Sequence, residues 1–162
     1  MRTEGTAEIA ASPEAVWSAI TDPAVIASCV PVGDGVSVET LGPTTFRLRA
    51  RIGQGFMRLA VDARGELTDL VRPVRGTCTV RASVAGNALE GVIHVMLSAT
   101  RTGTHVAWDA DVSLRGPLAG MAVTYIERDA PGLIDRTIAC LRERVESDAS
   151  AGSRGSAEPS RP

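Results

Sequence analysis

GPLAGMAVTYIERDAPGLIDRTIACLRERVE, residues 116–146, is the stretch whose reading decides the fold. Apolar or small residues recur at Ile126, Ala130, Leu133, Ile134, Thr137, Ile138, Leu141 and Val145, the spacing of a helix with one buried face. Glu127, Arg128, Asp135, Arg136, Arg142, Glu143 and Glu146 form the opposite, water-facing side. At 1.5 Å per residue the helix would run roughly 45 Å. A rod of that length is buried only against something equally broad, and a curved sheet is the natural partner. Asp129-Ala130-Pro131-Gly132 interrupts the pattern. Proline inside a helix costs about 3 kcal/mol and glycine about 1. The break is either a kink or a junction of two helices with Pro131 in the first turn of the second, or a hinge over a cavity mouth.

Upstream, the chain alternates. Residues 3–10 read as a first strand. Ser12-Pro13-Glu14 is a helix start, with a serine cap, proline at the first helical position and an acid in the first turn. That helix carries Val16, Trp17 and Ile20 inward and stops near Thr21-Asp22-Pro23. Pro23 opens a second short helix that ends at Cys29. Six strands are expected after it: residues 36–41, 46–52, 57–64, 77–84, 89–99 and 104–115, with a turn at Gly53-Gln54-Gly55. The clearest is 46–52, with Phe46, Leu48, Ala50 and Ile52 on one side and Arg47, Arg49 and Arg51 on the other. In the last, Val106, Trp108, Ala110, Val112 and Leu114 face the core. One-sided alternation with short turns implies an antiparallel meander with one wet face. The fold class is α+β: a curved antiparallel sheet of about seven strands around a long C-terminal helix, in one domain over residues 1–147. Residues 148–162 lack a large apolar side chain and read as a disordered polar tail.

Composition narrows the function classes. Net charge is −2, so no whole-protein field draws the chain to nucleic acid or an anionic membrane. All 17 basic residues are arginine, which we read as base-composition bias. Cys29, Cys78 and Cys140 sit in apolar runs without metal-ligand spacing, which implies buried free thiols in a reducing cytosol. Met1-Arg2-Thr3-Glu4-Gly5 leads into no apolar segment, and no stretch approaches the ~20 apolar residues of a membrane span, so the expected location is cytoplasmic.

The order strand, two short helices, six strands, long helix resembles the helix-grip fold of the START-like (SRPBCC) superfamily, in which the sheet curls around the last helix and leaves a ligand cavity. Within it, several motifs resemble the G subunit of carbon monoxide dehydrogenase over about residues 5–145. They are Ser12-Pro13-Glu14-Ala15-Val16-Trp17, Thr21-Asp22-Pro23, Ala27-Ser28-Cys29-Val30-Pro31, Ile52-Gly53, Gly103-Thr104-His105-Val106-Ala107-Trp108 and Arg115-Gly116-Pro117-Leu118-Ala119-Gly120. Val32 between Pro31 and Gly33 departs from the family's loop, and the polar tail lacks the membrane-reaching character of many members, so membrane contact is at most peripheral. The resemblance implies a non-catalytic accessory to a molybdenum hydroxylase such as carbon monoxide dehydrogenase, holding a lipophilic small molecule of quinone type or assisting maturation. The alternative on the same fold is a small enzyme of polyketide cyclase or hydrolase type.

The residues offer little chemistry but room for a hollow. His94 and His105 fall on outward registers, as do Asp109 and Asp111, and no nucleophile, metal set or phosphate loop is apparent; no cofactor is expected. Inward positions are aliphatic, and at 3% aromatic the chain has few bulky groups to fill the space between sheet and helix. The expected cavity lining is Phe46, Leu48, Met57, Leu59, Val80, Ile93, Val95, Trp108, Val112, Leu118, Met121 and Tyr125. Met121 would be an adaptable wall and Tyr125 a polar handle for a carbonyl; as plain core residues they would need no ligand. Arg47, Arg49 and Arg51 with Arg58 and Arg64 make a basic outer face, either solvated decoration or a dock for an acidic protein.

Overall fold

The computed structural model describes residues 1–31, 35–52, 58–117 and 119–154, with backbone only at Ile52, Met121, Ala122, Val123, Tyr125, Ile126 and Arg154. β1 (Arg2–Ile9) leads to α1 (Pro13–Ile20) and α2 (Pro23–Cys29). Six strands follow: β2 (Ser37–Thr40), β3 (Thr45–Ile52), β4 (Leu59–Val71), β5 (Arg75–Val84), β6 (Asn87–Ala99) and β7 (Thr104–Arg115). The chain then forms α3 (Ala119–Arg154). All seven strands join one antiparallel sheet in the order β1-β7-β6-β5-β4-β3-β2. Only β1 pairs out of sequence, because α1 and α2 carry the chain from one edge of the sheet to the other. This is the expected α+β helix-grip architecture.

Local chemistry places the two short helices. Ser12 Oγ accepts from Ala15 N at 3.2 Å, and Asp22 Oδ1 accepts from Ala24 N at 2.9 Å; each cap is followed by proline. Val16 and Trp17 are 0% and 4% exposed, burial worth about 1.5–3 kcal/mol per large side chain. They pack with Ile9, Ala11, Leu97, Val106 and Val145. Thr104, fully buried, seals this end of the sheet by donating its hydroxyl to Ala11 O at 2.7 Å.

Several expectations need correction. β4 runs on to Val71 instead of ending near residue 64, with a register shift between Thr68 and Val71 where Asp69 adopts a positive φ of 50°. Gly65, a poor strand former, masks the continued alternation of Leu67. α3 is one continuous helix through Pro131. Glu127 and Pro131 are both exposed, so the carbonyl that loses its intrahelical donor can be hydrated. The helix continues through residues 148–154, assigned above to the polar tail, because Ala149 packs on the core and Ser150 and Ser153 bond back to the preceding turn. Arg142, expected in water, is half-buried.

The thiol expectation also changes. Cys29 and Cys140 form a disulfide between α2 and α3, with Cα atoms 5.5 Å apart, and only Cys78 is free. The reading of a reducing cytosol rested on three free thiols and loses that basis. Arg144 reinforces the junction with a hydrogen bond to Ser28 Oγ. No helix among the described residues is long and apolar enough to cross a membrane.

Candidate functional site

Antiparallel register sorts the sheet's side chains into cross-strand rows, and direct partners share a face. One inward row is Leu48–Ala63–Ala82–Leu89–Leu114. The next is Phe46–Gly65–Val80–Gly91–Val112, then Leu67–Cys78–Ile93–Ala110, then Gly76–Val95–Trp108–Gly5. From the first of these rows to the fourth is about 20 Å at the usual strand rise. Phe46, Leu48, Val80, Ile93, Val95, Trp108 and Val112 thus share one apolar face.

Burial along that face is uneven. At one end Ile9, Leu97, Val106 and Val145 are at most 8% exposed beneath the C-terminal half of α3. The seven residues just named are only half-buried, although they point toward the helix side of the sheet. α3 makes its main contacts with α1, α2, β1 and β7, leaving the β3–β5 part of the sheet less closely covered. These apolar side chains are therefore less closely covered than those at the other end of the same face.

Glycines shape this face. Phe46 covers Gly65, where a methyl group would sit 2.0 Å from the ring's Cζ; Trp108 covers Gly5, where one would sit 2.6 Å from Cζ2. Gly91 differs, because a methyl there would meet Val112 Cγ2 no closer than 3.8 Å. Lacking a side chain, Gly91 leaves a notch in the wall that no described residue fills.

Polar features of this face are few. The indole Nε1 of Trp108 is enclosed and has no hydrogen-bond partner among the described residues. Cys78 is the one titratable group on the inward strand registers among the described residues, and burial raises its thiol pKa to about 11, so it stays neutral. His94 and His105 point outward, as expected: His94 Nδ1 lies 3.0 Å from Thr77 Oγ1, and His105 Nδ1 contacts the Glu8 carboxylate. Asp109, also outward, lies 3.7 Å from Arg2. Among the described residues no group of acidic, histidine or cysteine side chains is arranged to hold a metal.

Leu59 occupies the inward register but stands 43% exposed at the free end of β4, away from the other rows. Met57, Leu118 and the Gly53-Gln54-Gly55 turn lie outside the described residues, as do the 32–34 loop with Val32 and residues 155–162; so do the side chains of Met121 and Tyr125. Leu67, Leu89 and Leu114 join the same rows although the expected cavity lining did not include them. Period-2 alternation carried a signal for Leu89 and Leu114, whereas Leu67 was hidden by the missed half of β4.

A family profile described as CoxG, the G subunit of carbon monoxide dehydrogenase, matches residues 5–146. No curated protein matches the sequence. Among solved structures, a conserved protein from Geobacillus kaustophilus superposes with a TM-score of 0.78 at 18% identity, over 91% of this chain and 96% of that one. A protein from Rhodobacter sphaeroides gives 0.64 at 20% identity, over 90% and 93%. The Zhui aromatase/cyclase from Streptomyces sp. R1128 gives 0.63 at 16% identity, over 90% and 95%. At these identities the likenesses establish the shared fold.

Proposed function

Starting from the premise that this chain belongs to the CoxG family of carbon monoxide dehydrogenase, we propose that it is a non-catalytic carrier of a lipophilic, quinone-like small molecule, bound between the concave sheet face and α3. One observation carries the reading: seven apolar side chains spread over about 20 Å of the inward face stay half-buried while the adjoining end of the same layer is closely packed. Val80, Ile93 and Val112 would meet the apolar body of the ligand, with Phe46 and Trp108 as flat walls. The notch at Gly91 would take part of its volume. Accessory service to a molybdenum hydroxylase such as carbon monoxide dehydrogenase follows from the family's description. A cyclase-like enzyme, which shares the fold with a protein bearing that name, is the weaker reading. It would use acid or base groups on the concave face, whereas both histidines and Asp109 stand outside.

The test uses the protein's own fluorescence. Trp17→Phe leaves Trp108 as the sole tryptophan, on the candidate face. Titration with a short-chain quinone is expected to quench it saturably. Gly91→Leu, which fills the notch, should weaken that binding by at least about tenfold, since lost apolar contact of one or two methylenes is worth 1–3 kcal/mol. Quenching that rises without saturation, or is unchanged by Gly91→Leu, would remove the assignment.

A further inference from the structure

The outer face of the sheet carries a separate signal. Arg47, Arg64 and Arg81 are direct partners across β3, β4 and β5, three like charges in one row. Neighbouring strands lie about 4.8 Å apart, and like charges directly opposite destabilise a sheet. Two members of the row are neutralised. Arg47 Nε donates to Asp62 Oδ1 at 2.8 Å in a two-pronged pair completed by its Nη2 and Asp62 Oδ2, and Arg81 lies 3.2 Å from Glu90. Arg64 between them has no ion-pair partner among the described residues. In the next row Arg49 faces Asp62, but Asp62 is already engaged by Arg47, so Arg49 is left over; Arg115 at the far end of that row also has no ion-pair partner among the described residues.

These side chains border two shallow hollows that meet at Asp62 and Ser83, of about 410 and 520 Å³. Six arginines (47, 49, 51, 64, 81 and 115) line them against two acids, Asp62 and Glu90. These hollows are therefore locally basic although the whole chain carries −2. Glu39 on the edge strand stands opposite Arg47 and does not relieve Arg49, Arg64 or Arg115.

We infer that the outer face of β3–β5, extending to Arg115, docks a carboxylate-rich surface of a partner protein. Arg64 and Arg115 are separated by three strand spacings, about 14 Å, too far for one small anion to bridge and suited to several carboxylates on one surface. Guanidinium groups accept carboxylates in a two-pronged fork, as Arg47 and Asp62 already demonstrate on this face. Nucleic acid is disfavoured because, among the described residues, no aromatic side chain interleaves with these arginines. A lipid surface is disfavoured because the outward non-charged positions of the two rows are Ser37, Ser83, Ala88 and Ser113, none able to insert among acyl chains. This face is opposite the apolar one, and the inference does not rest on lipophile binding.

The full chain tests it by fluorescence anisotropy with fluorescein-labelled poly-glutamate at low salt. Saturable binding is expected. It should weaken at least about tenfold in the combined Arg49→Gln, Arg64→Gln, Arg115→Gln variant, and with rising ionic strength. The variant's unfolding midpoint should hold or rise, because like-charge crowding is relieved. Equal affinity of variant and wild type overturns the inference, as does tighter binding to duplex DNA or to vesicles of anionic phospholipid than to poly-glutamate.

Discussion

Phe46 and Gly65 are direct cross-strand partners, and the para end of the phenylalanine ring occupies the space that a side chain at residue 65 would need. The two residues act as one unit: the ring covers bare backbone, and the glycine admits the ring. Gly91 lies in the same row, two strands further on, and among the described residues nothing comes closer to a methyl placed there than Val112.

Opposite outcomes are therefore expected for the same substitution. Gly65→Ala should destabilise the protein by about 1–3 kcal/mol, because the new methyl displaces the Phe46 ring from a packed layer. Gly91→Ala, where the methyl meets described atoms only at ordinary contact distance and φ is not positive, should be neutral or stabilising by up to about 1 kcal/mol. Urea unfolding of both variants checks this; equal destabilisation would show that the notch at Gly91 is closed.

The link between α2 and α3 predicts a thiol count. Unfolded without reductant, the protein should expose one reactive thiol, Cys78, and after reduction all three cysteines. In the native state Cys78 should react slowly with iodoacetamide near neutral pH, because burial raises its pKa to about 11 and leaves little thiolate. Cys140→Ser should cost about 2–4 kcal/mol, because the bond closes a loop spanning 111 residues. Three reactive thiols before reduction would show that the bond does not form.

Asp62 gives the acid limb of stability a direction. The hydrogen bond from Arg47 holds its carboxyl below the usual 3.8, aided by the charges of Arg47, Arg49 and Arg64 against an opposing desolvation. A depressed carboxyl contributes stability that is present above the unfolded value and lost as pH falls through the folded one. The gap in urea midpoint between wild type and Asp62→Asn should therefore be constant near neutrality and shrink below 3.8. A gap that stays level down to about pH 2 would mean that the pair does not contribute to folding.

Much of this fold was legible as local pattern. Alternation in residues 46–52 and 104–115 assigned inward and outward faces that the register reproduces, and both helix starts were readable from Ser12-Pro13 and Asp22-Pro23. The second half of β4 was not legible, because Gly65 and the irregularity at Asp69 interrupt the period that identifies a strand. The end of α3 was misread from composition, since residues 148–154 look like tail until Ala149 is seen against the core.

What the sequence determined by itself are the elements, their order and the face each presents, because caps and periodicities act over a few neighbouring residues. Only the tertiary structure decided which distant groups meet: Cys29 with Cys140, Phe46 with Gly65, Arg47 with Asp62. It also decided that one end of the apolar layer is closely packed while seven side chains at the other are half-buried. The reason is physical. A residue's neighbours across a sheet, or between a helix and a sheet, are set by register and by the curl of the whole, and neither is written in any short stretch of chain.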